Sequence, residues 1–274
     1  MNDQIEFVDI KDADTLVKFL PQIQSLFLEC FDKPLPDALW EWAYLNNPCG
    51  QPLVSLAIVN GSVVGHYAVI PQSLNNSSKT LNGYLSMTTM VSAPYRRFGL
   101  FQLLAERFYS RIEATLVPSV VYGFPNDNST AGFRKRLGWT ILEQYKVIQV
   151  TPKDWHHQCK LIKKCVTEES YHLDMNHDDI RIWRCNKPGQ AWAINNGVGL
   201  KEINDVFDLM YYSDVDTLSN IVSNKPINII SPQVVTDEVN GESETLFPYR
   251  FGFRAFNMQE SPSFFVQMCM SDVF

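Results

Sequence analysis

Apolar residues recur along this chain with two periods, and the periods divide it into helices and strands. Spacings of three and four residues predict a helix over residues 13–31, which we expect Pro21 to divide into two segments. The dipeptide Asn60-Gly61 between two apolar runs is a strong hairpin signal. The other elements predicted in this part are strands over residues 4–10, 54–59, 63–70 and 81–91 and a short helix over 37–44, with a polar turn over 71–78.

The stretch from residue 85 to residue 116 combines a strand, a turn and a helix. Its uncharged start breaks at Ala93-Pro94, passes through Arg96, Arg97 and Gly99, and becomes helical. A strand that ends in a glycine turn and opens a helix leaves unpaired backbone N–H groups at the helix start. Together with the positive end of the helix dipole, these groups predict an anion site suited to phosphate. The buried face of the helix is predicted by residues at four-residue steps: Leu100, Leu104, Phe108, Ile112 and Leu116.

The remaining chain predicts two related halves. A strand over 119–123, a helix over 130–137 that stops at Gly138, and a strand over 140–150 complete the first half. The run from Trp183 to Pro188 then repeats the run from Trp42 to Pro48, and strands come after both. We therefore expect a first domain over 1–150, a connector with one short helix over 151–182, and a second, smaller half over 183–274. The second half is predicted to contain strands over 191–195, 198–203, 227–230, 249–256 and 264–268 and a helix over 214–223.

Composition narrows the classes of protein that fit. The chain has 274 residues, 45% of them hydrophobic, which is ample for a core. Its net charge of −7 disfavours a nucleic-acid partner, and no apolar run approaches the roughly 18 residues of a membrane span. Six scattered cysteines without CxxC pairs, and no N-terminal apolar leader, predict reduced thiols in a cytoplasmic protein. We expect no metal, because the polar cluster His172, Asp174, His177, Asp178 and Asp179 fits no standard ligand spacing.

The spacing Val91-x4-Arg96-x2-Gly99-x-Phe101 resembles the Arg/Gln-x-x-Gly-x-Gly/Ala pyrophosphate loop of the GCN5-related N-acetyltransferases (GNATs). The later residues Gly-Phe-Pro-Asn (123–126) and Leu-Gly-Trp (137–139) are similar to the next strand and helix of that family. The resemblance covers about residues 5–150. It implies an α/β (α+β) GNAT fold, a mixed and mostly antiparallel sheet flanked by helices, with a second GNAT-like half after it in this chain.

The resemblance also implies a set of residues that bind acetyl-CoA as co-substrate. Backbone N–H groups of the loop would hold the pyrophosphate, with an ionic contact from Arg96 or Arg97. Met90 and Val91 would supply main-chain donors where the strand splays from its neighbour. Asn126 matches a position that contacts the cofactor arm, and Ser129 is a weaker match. The residues of the loop itself are Arg96, Arg97, Phe98, Gly99, Leu100 and Phe101.

Two positions depart from the family pattern, and the catalytic residues are open. Phe101 stands where the family has glycine or alanine, and its side chain either points away from the loop or narrows it. Arg134 stands where many members carry a tyrosine acid. Tyr122 is a substitute acid, with a packed strand tyrosine as the alternative interpretation. His66 is a candidate base, with a structural histidine as the alternative. Further candidate bases are Glu143, Tyr145 and the terminal carboxylate of Phe274.

The implied activity is acetyl-CoA-dependent transfer of an acyl group to a small primary amine, such as an amino sugar or amino acid, by direct attack. Two alternatives stay open: a non-catalytic acyl-CoA-binding or regulatory module, and an acyltransferase that uses another acyl or aminoacyl donor. The expected partner is the amine acceptor, with neither nucleic acid nor membrane. The sequence leaves the acceptor, the acyl chain length and a homodimer open.

Overall fold

The structure, a computed structural model, describes residues 4–232 and 243–273. In these residues the α-helices lie among the strands between residues 13 and 185, and short 3-10 helices occupy Ala93–Phe98, Thr217–Asn220 and Met268–Met270. The α-helices are α1 (Ala13–Phe31), α2 (Asp37–Tyr44), α3 (Leu100–Glu113), α4 (Asp127–Leu137), α5 (Trp155–Cys165) and α6 (Asp178–Cys185).

The strands form two mixed sheets, as the α/β fold class predicts. The first sheet has the order β1-β2-β3-β4-β5-β14-β6, with β8 beside β3, and the second has the order β13-β7-β12-β11-β10-β9. In the first half the strands are β1 (Glu6–Ile10), β2 (Leu53–Val59), β3 (Ser62–Asn75), β4 (Thr80–Val91), β5 (Ser119–Gly123), β6 (Thr140–Leu142) and β7 (Tyr145–Val150). In the rest they are β8 (His172–Leu173), β9 (Ala193–Asn195), β10 (Val198–Ile203), β11 (Val206–Tyr212), β12 (Ile227–Pro232), β13 (Ser243–Pro248) and β14 (Phe251–Phe256).

The two sheets repeat one topology and exchange one strand each. In the first, β4 and β5 are the parallel pair, and β14 lies between β5 and β6. In the second, β11 and β12 are the parallel pair, and β7 lies between β12 and β13. Thus β7, which follows β6 in the chain, belongs to the second sheet, and β14, which follows β13, belongs to the first. The internal repeat expected from the tryptophan motif is therefore a repeat of sheet order as well.

The two tryptophans of the repeated motif contact each other across the halves. Trp42 and Trp183 occupy the sixth position of α2 and α6, both eight residues long. Their rings stack with centroids 4.5 Å apart and 5° between planes. Each indole Nε1 donates to the other residue's backbone carbonyl at 2.8 Å. This reciprocal contact fixes α2 against α6.

The hydrophobic core lies in three layers. The central layer contains residues of α1, α2 and α6 together with one face of each sheet. On the other face of the first sheet, α3 and α4 cover the second layer, and on the other face of the second sheet, α5 covers the third. The α3 face agrees with the prediction at Leu100, Leu104, Phe108 and Ile112, whereas Leu116 is 81% exposed beyond the helix end.

Two predicted breaks in the first half do not exist. Pro21 lies inside one continuous helix, α1, rather than at the start of a second segment. Because Pro21 has no N–H, the carbonyl of Val17 lacks its usual helix partner. Val17 is 45% exposed, so water can reach this carbonyl and the helix continues. The predicted turn over 71–78 is wrong as well, since β3 continues through Pro71 to Asn75. Pro71 is accommodated because β3 has no β2 partner beyond Val69.

Later boundaries also differ from the predicted ones. The strand over 140–150 is two strands in different sheets, so residue 150 does not separate the sheets. The connector over 151–182, predicted with one short helix, contains the whole of α5, β8 and the first residues of α6. A 3-10 turn replaces the helix expected over 214–223, and residues 264–268 make only an isolated bridge at Phe264. In both places the local apolar pattern is satisfied by packing rather than by regular hydrogen bonding.

Candidate active site

The parallel pairing of β4 with β5 ends before β4 does, and we call the unpaired edge of β4 beyond that point, with the space beside it, the first cleft. The strands pair from Asn82 with Ser119 to Leu85 with Tyr122, and β4 continues to Val91 beyond the last pair. On its other edge β4 carries a bulge, because the pairs Ala68–Met87 and His66–Met90 enclose one more residue of β4 than of β3. Thr88, in the bulge, has a left-handed φ of 50°. The divergence leaves main-chain groups of residues 86–91 facing the cleft.

The far end of β4 leads into the predicted anion loop. The chain makes a 3-10 helix over Ala93–Phe98 and then reaches Gly99, which is the N-cap of α3 with φ 71° and ψ 18°. An L side chain is strained in this left-handed conformation, so glycine suits the position. A Cβ built at Gly99 meets no protein atom within 4 Å, and the space beside the loop is therefore open.

The first N–H groups of α3 come directly after Gly99 in the chain. The hydrogen bonds that reach back to Gly99 come from the N–H groups of Gln102 and Leu103, so those of Leu100 and Phe101 precede the helix ladder. The Leu100 side chain is buried in the core and leaves only its backbone for a ligand. Free N–H donors at the start of a 14-residue helix make a site for an anion.

The two loop arginines have different surroundings. Arg96 Nε donates to the Val91 carbonyl at 3.1 Å, which ties the loop to the end of β4. The Arg97 guanidinium lies 5.0 Å from the ring centroid of Phe98. Both arginines are exposed. Arg96 thus shapes the loop, and both cations lie beside the open helix start.

The side chain of Phe101 points away from the loop. Its ring contacts Phe133 of α4 edge to face, with centroids 5.2 Å apart. A Cβ added at Gly132 would lie 3.2 Å from the Phe101 ring, so Gly132 makes room for it. Phe101 therefore packs α3 against α4 and leaves its own N–H facing the loop. Of the two interpretations of this departure, the structure supports the one without narrowing.

Asn126 and Ser129 lie together at the start of α4, beyond the end of β5. The Asn126 side chain is the N-cap and accepts from the Ser129 N–H at 3.1 Å. The Ser129 hydroxyl donates back to Asn126 at 3.1 Å. Both residues are at least partly exposed. Capping explains why these residue types occur here, and the contact of either one with a cofactor arm stays a prediction.

His66 lies directly behind the bulge of β4. Its Nδ1 contacts the Thr88 carbonyl at 2.7 Å, which places the proton on Nδ1. The ring is 1% exposed, and Nε2 has no hydrogen-bond partner among the described residues. Burial lowers the pKa of His66 to about 4. The imidazole is therefore neutral at pH 7 and holds the bulge, while Nε2 keeps a free lone pair.

Tyr122 lies at the apex of the cleft, as the last residue of β5 paired with β4. Its side chain is fully buried beside the ring of Phe251, and its hydroxyl has no hydrogen-bond partner among the described residues. Burial raises the pKa of Tyr122 well above its ordinary value, and Cys269 adds to the shift. Tyr122 and His66 belong to the same face of the first sheet, but β4 lies between their strands. The structure shows no contact between them.

Two groups that the sequence did not indicate face this side of the cleft. The hydroxyls of Tyr44 and Thr88 are hydrogen-bonded, so α2 contacts the bulge directly. Burial raises the pKa of Tyr44, and the Asp272 carboxyl contributes in the same direction. Tyr44 is the last residue of the short helix predicted over 37–44, and a left-handed threonine has no sequence signal. Asp272 belongs to the C-terminal segment, residues 264–273.

The other candidate residues from the sequence either have partners away from the cleft or lie outside the described residues. Arg134 forms an ion pair with Glu143, and this pair lowers the pKa of Glu143. Tyr145 belongs to the second sheet, where burial raises its pKa to about 12. Phe274, with its terminal carboxylate, lies outside the described residues.

The polar cluster near residue 174 makes turn and ion-pair contacts. Asp174 is buried and accepts from Asn75 Nδ2 at 2.8 Å, with His177 Nε2 3.4 Å away. Asp178 pairs with Arg181 at 2.7 Å. Over residues 4–232 and 243–273, no three histidine, cysteine or acidic side chains are arranged to hold a metal ion. No helix of the described chain has the length and apolarity to cross a membrane.

The cleft, the loop and the helix start fit an extended ligand with a pyrophosphate at one end. The open space beside Gly99 and the first N–H groups of α3 suit the phosphates. The diverging edge of β4 suits a chain that carries amides, because such a chain can hydrogen-bond to a strand edge. Coenzyme A has both parts in this order, so the residues present fit it.

Comparison with known proteins agrees with this geometry. Residues 17–142 match the family described as an acetyltransferase (GNAT) domain. Comparison with curated protein sequences finds no match. Solved structures match most of the chain at low identity, which establishes the fold and no more.

Three of these structures illustrate the extent of the match. A GCN5-related N-acetyltransferase from Anabaena variabilis ATCC 29413 is 11% identical with a TM-score of 0.59, over 91% of this chain and 72% of that one. A putative acetyltransferase from Pyrococcus horikoshii is 12% identical with a TM-score of 0.55, over 93% and 91%. Eis1 from Mycobacterium abscessus is 9% identical with a TM-score of 0.55, over 90% and 73%.

The match over residues 17–142 spans α1 to β6, and it includes the diverging strands, Gly99 and the start of α3. The fold of both sheets agrees with the solved structures over more than nine tenths of the chain. Residues 17–142 therefore resemble an acetyltransferase (GNAT) domain, and acyl transfer is the general activity that this match supports.

Proposed function

We propose that this protein is an acetyl-CoA-dependent N-acetyltransferase whose acceptor is a small primary amine. The observation that carries the proposal is the divergence of β4 from β5 beside the Thr88 bulge, continuous with the open loop at Gly99. When bound, acetyl-CoA would supply an acyl group activated as a thioester. The protein would bind its pyrophosphate through residues 97–101 and its arm through Met90, Val91 and the start of α4.

The bulge would orient the reacting carbonyl. A bulge turns successive N–H groups of a strand toward one side, and fixed N–H donors stabilise a developing oxyanion. His66 and Tyr44 hold the bulge from behind through the carbonyl and hydroxyl of Thr88. Their removal is therefore expected to lower kcat more than the affinity for acetyl-CoA.

Proton transfer would use groups on the same side of the sheet. His66 Nε2 keeps a lone pair that can accept a proton, although the lowered pKa makes it a weak base. The Tyr122 hydroxyl at the cleft apex is a proton donor without another partner among the described residues. We assign these roles to His66 and Tyr122. We also propose that the protein is cytoplasmic, because its six cysteines form no disulfide in the described chain.

Calorimetric titration with acetyl-CoA tests the binding part. A Gly99→Val substitution is expected to weaken binding at least a hundredfold, since a side chain would enter the phosphate space and strain the loop. Gly61→Val is the matched control, because Gly61 also has positive φ, 77°, and open space, but lies in the β2–β3 hairpin. Equal loss in both variants, or no binding by the wild type, would refute the proposed cofactor.

Thiol release across a panel of amino sugars, amino acids and polyamines tests transfer. Acceptor-dependent release of coenzyme A supports the transferase. Binding of acetyl-CoA with no release on any amine favours the non-catalytic binding module, and the same panel with longer acyl or aminoacyl donors tests the other alternative.

A further inference from the structure

The second sheet contains a cleft with the same construction as the first. The parallel strands β11 and β12 pair only at Phe207–Ile227 and Asp208–Asn228 before they diverge. Just beyond, β11 carries a bulge, because the pairs Leu200–Leu209 and Gly199–Tyr211 enclose one extra residue of β11. Divergence and bulge succeed each other as they do in β4 and β5.

A side chain from the same polypeptide fills this second cleft. Gln267 accepts from the Tyr212 N–H through Oε1 at 2.8 Å and donates to the Tyr212 carbonyl through Nε2 at 3.3 Å. Gln267 is only 2% exposed. Its amide therefore satisfies both main-chain groups of Tyr212, at the place where the first cleft presents its own main chain to a ligand arm.

The second cleft also lacks the means to hold a pyrophosphate. After β4 the chain forms a glycine-capped helix of 14 residues, whereas after β11 it forms only the 3-10 turn over Thr217–Asn220. Residues 206–232 are described without a gap, and no α-helix occurs among them. A turn of four residues provides no row of helix N–H donors for an anion.

From Gln267 the C-terminal segment runs to the first cleft. Arg184 donates to the Cys269 carbonyl at 2.5 Å and to the Ser271 carbonyl at 2.8 Å, and Lys187 donates to the Asp272 carbonyl. The hydroxyls of Tyr249 and Ser271 are hydrogen-bonded. The Tyr249 ring in turn stacks on Phe124, directly after β5, with centroids 4.9 Å apart. The Asp272 carboxyl adds to the raised pKa values of Tyr44 and Tyr122, which lie at the bulge and at the apex of the first cleft.

We propose that Gln267 is a positioning residue that closes the second cleft and thereby holds the C-terminal segment, with Asp272, as the acceptor-side wall of the first cleft. The second half is then an anchor for the acceptor site rather than a second transferase site. The position of the acceptor side rests on the function proposed above, whereas the closure of the second cleft does not.

Stoichiometry is the first test. Calorimetry of the full chain with acetyl-CoA is expected to give one site per chain. Two sites per chain would overturn the closure of the second cleft. If the wild type binds no acetyl-CoA at all, the proposed function fails, and hydrogen exchange still decides whether Gln267 anchors the segment.

Hydrogen exchange compares Gln267→Ala with Gln149→Ala. Gln149→Ala is the matched control because it also removes a side-chain amide hydrogen bond within the second sheet, from Gln149 Nε2 to Asn228 Oδ1 at 3.1 Å, and Asn228 lies on β12 rather than in the segment. The Met270 and Ser271 amides, which donate to Gln267 and Met268, are expected to exchange at least tenfold faster only in Gln267→Ala. The Phe265 amide, bonded to Tyr171 at 2.9 Å, is the internal reference. Equal protection in both variants would overturn the proposal.

Kinetic measurements distinguish a positioning role of Gln267 from a general loss of structure. Gln267→Ala is expected to lower kcat with an amine acceptor about tenfold while its Kd for acetyl-CoA changes less than twofold. Gln149→Ala is expected to change neither. If Gln267→Ala does not fold, Gln267→Glu, which keeps the size and the acceptor oxygen, replaces it in the same measurements. Loss of acetyl-CoA affinity parallel to kcat would overturn the positioning role.

Discussion

The two clefts of this molecule share their strand arrangement and differ in the segments that come after the strands. Both open where a parallel pair diverges next to a bulge in the earlier strand. The first leads to Gly99 and the start of α3, whereas the second leads to a 3-10 turn and is closed by Gln267. If the first cleft binds the cofactor and the second does not, as we propose, the divergence and the bulge that both share do not suffice for cofactor binding. The first cleft differs from the second in its glycine-capped helix start and in its unfilled strand edge.

The largest expected effect concerns the link between the halves. Arg184→Met is expected to lower the free energy of unfolding by about 3 kcal/mol, because buried carbonyls of the C-terminal segment lose charged hydrogen bonds. Arg181→Met, on the same helix, removes a half-exposed ion pair with Asp178 and is expected to cost at most about 0.5 kcal/mol. Denaturant unfolding measures both. Equal costs would mean that the segment contributes little to joining the clefts.

The pH dependence of stability tests the bulge of the first cleft. Burial lowers the pKa of His66 from 6.5 to about 4, so the unfolded chain binds more protons between these values. Stability is therefore full above about pH 6.5 and is lost as the pH falls, by about 2 kcal/mol between pH 7.5 and pH 5. His66→Gln is expected to remove this part of the pH dependence. An unchanged pH profile in the variant would show that the wild-type slope has another origin.

The smallest effects test the symmetry of the halves. Trp42→Phe and Trp183→Phe each remove one indole hydrogen bond of 2.8 Å from the stacked pair, at a cost of about 1–2 kcal/mol each. The double variant is expected to cost less than the sum, since the rings contact each other. Trp40→Phe is the control, because Trp40 Nε1 has no partner among the described residues, and its cost is expected to add to that of Trp183→Phe. Full additivity in the Trp42–Trp183 pair would contradict the coupling.

Patterns within one element were predictable from the sequence. The spacing that predicted α1 matched its bounds, and Asn60-Gly61 predicted the hairpin, because both signals depend on neighbouring residues alone. The turn at Gly99 was predictable for the same reason, since a glycine turn that opens a helix requires a positive φ at one position. The break predicted at Pro21 and the turn predicted from Pro71 were wrong. The effect of each proline depends on whether the carbonyl or the strand edge beside it is exposed.

Pairing between distant elements was not predictable. A period of two identifies β7 and β14 as strands, but it does not say which sheet they join. The bond between Tyr44 and Thr88 and the closure by Gln267 join residues far apart in the chain, and one sequence has no signal for them. The strand, turn and helix of the candidate site were therefore predictable because one continuous stretch forms them, whereas the contacts of Tyr44, Thr88 and Gln267 were not.

The exchange of β7 and β14 bears on how the chain is synthesised. The edge of β5 that faces β6 is filled by β14, whose pairs with β5 include Phe253 with Tyr122. A ribosome that has released residues 1–150 has therefore made every part of the cofactor loop but not the strand that completes its sheet. Until residues 251–256 emerge, the nascent chain presents an open strand edge, which invites pairing with other chains. Folding of either half is thus expected to await translation of the other, and we expect that fragment 1–150 does not fold independently.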